Sequence, residues 1–419
     1  MDLIAPLQGQ DHPTVLLLGN YRPALTLARV LRRQGYKVIC SVEGCDGGAE
    51  HCRYVDELWG HRPVGSDPNG FLADLKGFLR ERPEIEVVYP VAEEFVRMFA
   101  EHEDRLPFGP VYAMTPPDLV KACLDKLGLM TLAVLNKVPT APFEMVHSLS
   151  GFLQAVERVG LPLVIRPEKS TERIGGKKAV VCETMSDVQA VVHELANGMR
   201  NLLLQRKVEG RRHNLYFAAQ NGEIVRYLHA VILRTDMPDG TGLAVEGETV
   251  EPDPELKDYA TRLIKALGYT GVGCAQFLVN EHDGSVSFLE INPRIAGNHA
   301  VPEAAGLMLS TVAIALAQFP EKPVRSLEGK SGLRYVWTAG DLMGAKLAYL
   351  RGDVSAKESY RWLCHAISAA WRADVHMKWC WHDPLPGFFS LNEVLPSFRG
   401  LLRRARRWQS AKVEAWHGS

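Results

Sequence analysis

The segment Gly284 to Gly297, GSVSFLEINPRIAG, constrains this chain more than any other stretch. A short apolar run closed by proline is a strand with a fixed end, because Pro293 has no N–H to give to a sheet ladder. Alternation along that strand turns Glu290 and Asn292 to one face, and Arg294 follows in the loop just beyond. A carboxylate, a carboxamide and a guanidinium therefore arrive at one place. Hard Mg²⁺ takes carboxylate and carbonyl oxygens and shares its remaining coordination with substrate phosphates, while an adjacent arginine forks onto a phosphoryl oxygen. Upstream, Gly271 to Asn280 (GVGCAQFLVN) reads as a second apolar strand, joined to the first through the turn Glu281-His282-Asp283-Gly284, so that Gln276 lies across from Glu290. An ordinary hairpin with a charged edge is the plainer alternative; the full E-x-N-P-R with a polar partner upstream makes it the minority reading.

With 419 residues, 46% hydrophobic and 23% charged, the composition is that of a globular chain large enough for two or three packed units. The formal net charge of −1 supplies no field to draw in nucleic acid, and no nucleic-acid partner is expected. No apolar run approaches the roughly 20 residues that cross a bilayer, and no N-terminal stretch has the form of a leader, so the expected location is the cytoplasm. Eight cysteines without a CxxC or a Cys/His ligand spacing argue for reduced, mostly buried thiols, Cys182 and Cys274 among them.

Thr14 to Ile39 reads as strand, glycine turn, amphipathic helix and second strand, a βαβ opening. Its Gly19-Asn20 turn lacks G-x-G-x-x-G, which disfavours a dinucleotide. A helix near Gly70 to Arg82, the strand Glu86 to Pro90 and a helix from Glu93 to Glu103 continue the pattern, giving a parallel sheet over about the first 115 residues. Glu93 and Glu94 fall beyond a strand end, where such sheets bind ligands, or serve as acids favouring a helix N-terminus. G-x-x-x-x-G-K-[ST] occurs nowhere, so any phosphate site is not a Walker A loop.

The hairpin resembles the metal-binding end of the ATP-grasp superfamily, whose usual form is an acidic residue in the first strand and E-[IM]-N-P-R in the second. Gln276 replaces the acid, as in carbamoyl-phosphate synthetase modules, and the resemblance implies a metal site of Gln276, Glu290 and Asn292. The fold it implies is α/β, α+β within the ATP-grasp module. A biotin-carboxylase-N-like, parallel-sheet domain would occupy residues 1–115, a two-subdomain ATP-grasp domain residues 116–322 with its lid at 136–206, and a helical C-terminal extension residues 323–419. That extension, with Trp337, Trp362, Trp371, Trp379 and Trp381, is similar to the one in predicted carboxylate-amine ligases of the D-aspartate ligase-like group. Its basic end, Phe398 to Trp408, could touch an anionic membrane surface peripherally, although packing on the enzyme is the default, and stable membrane insertion is not expected.

For the nucleotide, the resemblance points to Lys126 after Asp125, to Arg166 before Pro167, and to Lys178, chosen from a loop that also holds Ser170, Thr171, Gly175, Gly176 and Lys177. Gln205, Lys207 and Val208 occupy the hinge that holds adenine. Arg206 stands where the family often has Glu, and Arg212 where many members carry the ribose-binding acid. Arg294 and His299 are the expected catalytic residues; Asn298 replaces the Glu of the biotin carboxylase Glu-His pair. The implied cofactors are ATP and Mg²⁺, two ions, with Mn²⁺ as a substitute; the partners are a small carboxylate and an amine, and a homodimer is compatible. The implied reaction phosphorylates the carboxylate to an acyl phosphate and joins it to the amine, releasing ADP and phosphate. Carboxyphosphate or carbamate chemistry, and an ATP-binding protein without turnover, stay open beside it.

Overall fold

The computed structural model describes residues 13–43, 47–167, 174, 179–195 and 201–394. Lys178, its loop neighbours Ser170, Thr171, Gly175, Gly176 and Lys177, and the basic segment Phe398 to Trp408 lie outside the described residues.

Strands β1 (Thr14–Leu18), β2 (Lys37–Val42), β3 (Glu57–Gly60), β4 (Ile85–Pro90) and β5 (Val111–Tyr112) form a parallel sheet in the order β3-β2-β1-β4-β5. The run TVLLL of β1 is buried throughout because both faces are covered. Leu16 and Leu18 pack with Phe71 of α2 (Pro68–Glu81) and Phe95 of α3 (Glu93–Glu101), and Val15 and Leu17 pack with Leu27 of α1 (Arg22–Arg33). Strand order reverses between β1 and β4, which opens a crevice beyond their carboxyl ends at Gly19 to Arg22 and Val91 to Glu94. Gly19, at φ +110, permits the approach: a Cβ there would stand 2.9 Å from that of Ala92.

Helices α4 (Pro117–Leu124) and α5 (Lys126–Leu135) lead into a second, antiparallel sheet. It comprises β6 (Phe143–Val146), β7 (Leu163–Pro167), β8 (Val180–Cys182) and β9 (Leu202–Arg206) in the order β6-β9-β7-β8. Helices α6 (Leu149–Val159) and α7 (Met185–Leu195) cover it through Phe152, Val156 and Val188 against Ile165 and Leu204.

The third sheet holds β10 (Arg211–Gln220), β11 (Glu223–Thr235), β12 (Ala244–Val250), β13 (Gly271–Val279), β14 (Val286–Asn292), β15 (Leu327–Glu328), β16 (Arg334–Val336) and β17 (Val375–His376). Its path is β14-β13-β10-β11-β12-β16-β17, with β15 on β11. One face buries Phe217, Phe277 and Phe288 against α8 (Pro254–Leu267) and α5. The other packs Tyr216, Ala230 and Cys274 into a core shared with α1, β1, α9 (Ala300–Ala304) and α10 (Leu309–Gln318). The polar residues of the hairpin open on this second side, toward the parallel sheet.

The C-terminal part is helical over α11 (Thr338–Arg351), α12 (Ala356–Arg372) and α13 (Leu385–Val394), and it also supplies β15, β16 and β17 to the large sheet. This differs from a purely helical extension. Strands of two or three residues are too short to show alternation, so nothing in the sequence marks them.

Candidate active site

β13 and β14 pair antiparallel with Gln276 opposite Glu290 and Cys274 opposite Asn292. Strict alternation would put Phe288 and Glu290 on one face, yet Phe288 is buried with Phe277 in the core against α8. The ladder resolves the conflict with a bulge: Phe277 pairs with Phe288, so Leu289 is an extra residue, and Glu290 is re-aimed to the side of Gln276. Asn214 of β10 lies opposite Gln276 on the next strand. Asn292 Nδ2 donates to Glu290 Oε1 at 2.8 Å, which leaves Asn292 Oδ1 free to accept a cation or a donor. Burial, reinforced by Glu290, pushes the Cys274 thiol up to about 12, so it stays protonated and adds no thiolate. The remaining donors are one carboxylate and two amide oxygens, a hard set that fits Mg²⁺ sharing its coordination with phosphates. Among the described residues no three His, Cys, Asp or Glu side chains come together as a metal group, as expected when two of the three donors are carboxamides.

Lys126 of α5 and Arg166 of β7 stand beside this set. Lys126 opens α5 behind the cap formed by Asp125 Oδ1 on Gly128 N, and its Nζ donates to Pro167 O at 3.1 Å. Burial lowers the Lys126 pKa, Arg166 adds to the shift, and Glu290 opposes it. Arg166 is likewise lowered by burial and held up by Glu290, and its Nε is buried without a partner. Glu290 thus acts on both cations, and Glu93 acts more weakly on Lys126.

Arg294 reaches the opposite side, across to the parallel sheet: its Nη2 donates to Glu93 Oε2 at 3.0 Å, and its Nε is buried and unpartnered. Burial works against its charge, but Tyr21 and Glu93 outweigh it and keep the guanidinium protonated. Glu93 opens α3 at the crevice, so one ion pair joins the hairpin to the carboxyl end of β4. Burial, with Glu43 and Glu93, raises the Glu94 carboxyl beside it.

His299 lies deeper. Its side chain has no exposure, and its Nε2 is 2.8 Å from Ser310 Oγ and 3.3 Å from Glu303 Oε1. Burial opposes the Glu303 charge, but His299 and Ser310 hold its pKa below the ordinary value. The imidazole therefore ties the loop after Arg294 to α10 and does not open onto the hairpin carboxylate. In the hinge, Gln205 is buried with Nε2 unpartnered, Lys207 N donates to Pro162 O at 2.8 Å, Lys207 Nζ pairs with Glu183, and Val208 is half-buried. Arg206 is exposed, and Arg212 Nη1 donates to Gly242 O at 3.1 Å.

The model of the carbamoyl-phosphate synthase L chain ATP-binding domain matches residues 249–321, a span that contains both hairpin strands, Arg294 and His299. The Campylobacter jejuni biotin carboxylase, solved as a complex with βγ-ATP, superposes with a TM-score of 0.60 at 19% identity over 77% of this chain and 74% of that one. The chain shares the fold of this ATP-binding enzyme. Acetyl-CoA carboxylase from Dictyostelium discoideum is 23% identical over 76% of this chain but 16% of its own length. The carbamoyl phosphate synthase large chain of Deinococcus radiodurans is 27% identical over 48% of this chain and 19% of its own. The chain thus spans about a sixth to a fifth of the curated relatives it first matches.

The fold also brings forward residues that the sequence did not single out. Asn214 and Tyr216, alternate residues of β10, share the hairpin's face; Asn298 Nδ2 donates to Tyr216 Oη at 2.5 Å and lies 3.4 Å from Tyr335 Oη. Alternation from Gln276 across the ladder would have found Asn214 had β10 been recognised. Tyr335 comes from the short β16, for which the sequence offers no signal.

Proposed function

We propose that the protein is an ATP-dependent ligase that phosphorylates a substrate carboxylate and joins the resulting acyl phosphate to an amine, releasing ADP and phosphate. One observation carries this reading: Glu290 and Asn292 meet near the cations Lys126 and Arg166 on one side and Arg294 on the other. Mg²⁺ bound by Gln276, Glu290 and Asn292 would neutralise charge on the ATP phosphates during γ-phosphoryl transfer. Lys126 and Arg166, with Lys178 from the lid loop, hold the phosphates, and Gln205, Lys207 and Val208 border the adenine. Arg294, kept charged and with an N–H to spare, steadies the departing phosphate and the tetrahedral oxyanion. His299 contributes by fixing the loop that carries Arg294 to α10. The division at 116 and 323 gives the crevice, the nucleotide module and a covering extension, and dependence on ATP fits a cytoplasmic setting.

Gln276 in place of an acid also suits carboxyphosphate chemistry, which the carbamoyl-phosphate synthase match supports. Purified protein incubated with ATP, Mg²⁺ and pooled carboxylates and amines should release ADP and phosphate and yield a condensed product by mass analysis. ADP release that depends on bicarbonate alone would favour the second reading. AMP and pyrophosphate as products would remove both.

A further inference from the structure

Arg22 is an unusual residue to find inside a protein. It opens α1, is 8% exposed, and pairs with no carboxylate at ion-pair distance among the described residues. Its guanidinium lies over the Trp337 ring, Cζ 3.7 Å from the centroid, and a Cβ on Gly297 would stand 3.1 Å from its Nη2. It is therefore pressed between the loop that follows Arg294 and a tryptophan from the C-terminal extension. Arg22 Nη1 and Trp337 Nε1 are both buried without a hydrogen-bond partner. Burial lowers the Arg22 pKa to about 10, with Tyr21, Asp236 and Tyr335 opposing the shift, so the group is still charged near neutrality. A buried guanidinium with no carboxylate at ion-pair distance is costly, and the stack beside it offers a second idle N–H. The first turn of α1 adds to this: no side chain caps it and no acid stands in it, so the positive end of the helix dipole also favours an anion.

We infer that Arg22 and Trp337 form a binding site for a carboxylate that does not react, a second acidic group on the bound substrates beside the one Arg294 serves. The inference rests on the ligase reading. A carboxylate can accept one hydrogen bond from the guanidinium and one from the indole, satisfying both orphaned donors at once and neutralising the charge. Arg294 and Gly297 belong to one short loop, and Tyr21 feels the charges of both Arg294 and Arg22, so one small molecule with two acidic groups suits the two anion sites. A cavity of about 290 Å³ lined by Arg212, Ile232 and Thr235 borders the residue before Asp236, the acid that acts on Arg22. Trp337 lies outside the span matched by the family model, so the site gives the C-terminal extension a part in substrate selection.

The second acid can belong to the acyl donor or to the amine, and two pairs of probes separate these sources. Calorimetry on the full chain, in chloride buffer with ADP and Mg²⁺, compares succinate with propionate and alanine with ethylamine. At least one acid-bearing probe should bind about tenfold or more tightly than its partner, the scale of a charged hydrogen bond. Arg22→Gln should abolish that preference, and Trp337→Phe, which keeps the ring and loses the N–H, should reduce it several-fold with an unchanged melting temperature. Equal binding within both pairs, no binding of any probe, or an undiminished preference in a folded variant of either residue overturns the inference. ADP release with the carboxylate and amine pools is measured in parallel: turnover without the preference defeats this inference alone, whereas absence of turnover bears on the ligase reading.

Discussion

Glu290 carries the single negative charge of the Gln276, Glu290 and Asn292 set, so Glu290→Gln should remove most of the cation affinity while keeping the hydrogen bond to Asn292. Turnover should fall by about two or more orders of magnitude, the scale of losing a transition-state electrostatic partner. Stability should change by less than about 1 kcal/mol, because no core volume is lost. Titrating Mg²⁺ against ADP release, with a thermal melt alongside, measures both. Arg294 acts at a later stage in this scheme: Arg294→Ala should depress ligation about a hundredfold or more and leave nucleotide affinity nearly unchanged. Near-normal ligation by a folded Arg294→Ala protein would remove that residue from the mechanism.

At the scale of elements, the pairing of β10 with β11 builds a pH dependence into the large sheet. His213 Nδ1 and His229 Nε2 are 2.8 Å apart and His229 Nδ1 is 3.3 Å from Asp253 N, so one proton between the rings holds the contact and a second charge there is unfavourable. Burial, then His213, lowers the His229 pKa from 6.5 to about 4, with Asp253 opposing. His213 is lowered as well, by burial and by Arg211, with Asp253 and Glu281 opposing. A depressed folded pKa means that the unfolded chain takes up protons first as pH falls. Stability is therefore full above about 6.5 and declines toward about 4, by on the order of 3 kcal/mol for His229. His229→Leu should flatten that acid limb in denaturant titrations at a series of pH values, whatever it does to stability at neutrality. The elements also show why the sequence spoke unevenly. The hairpin was legible because β13 and β14 are apolar, end at Pro293 and are joined by a polar turn. The 13-residue β11 was not: its register shifts around Ile232, Arg234 and Thr235, and arginines and histidine interrupt the apolar alternation. Arg22 and Trp337 could not have been connected by any local pattern, since nothing short of the folded chain brings them together.

Across the whole molecule, the C-terminal extension is fastened to the parallel sheet by charge. Arg29, on α1, donates to Asp383 Oδ2 at 2.9 Å through Nε and to Lys378 O at 2.9 Å through Nη2, while Arg53 N and Cys52 Sγ donate to the same carboxylate at 3.0 and 3.1 Å. The Arg29 and Asp383 side chains are 9% and 2% exposed. Three donors on one carboxylate explain why the pair is tolerated in so buried a place. Asp383→Asn keeps the shape but leaves Arg29 charged, buried and unpaired, and the expected cost is about 3–5 kcal/mol. Because α1 begins at Arg22 and the extension contributes Trp337, loosening this tie should also disturb the stacked pair at the other end of the helix. Urea unfolding followed by circular dichroism gives the first quantity, and the near-ultraviolet tryptophan signal reports the second. If Asp383→Asn is neutral in stability and leaves that signal intact, the extension is held by its apolar contacts and its strands alone, and the anion site must be regarded as built independently of this ion pair.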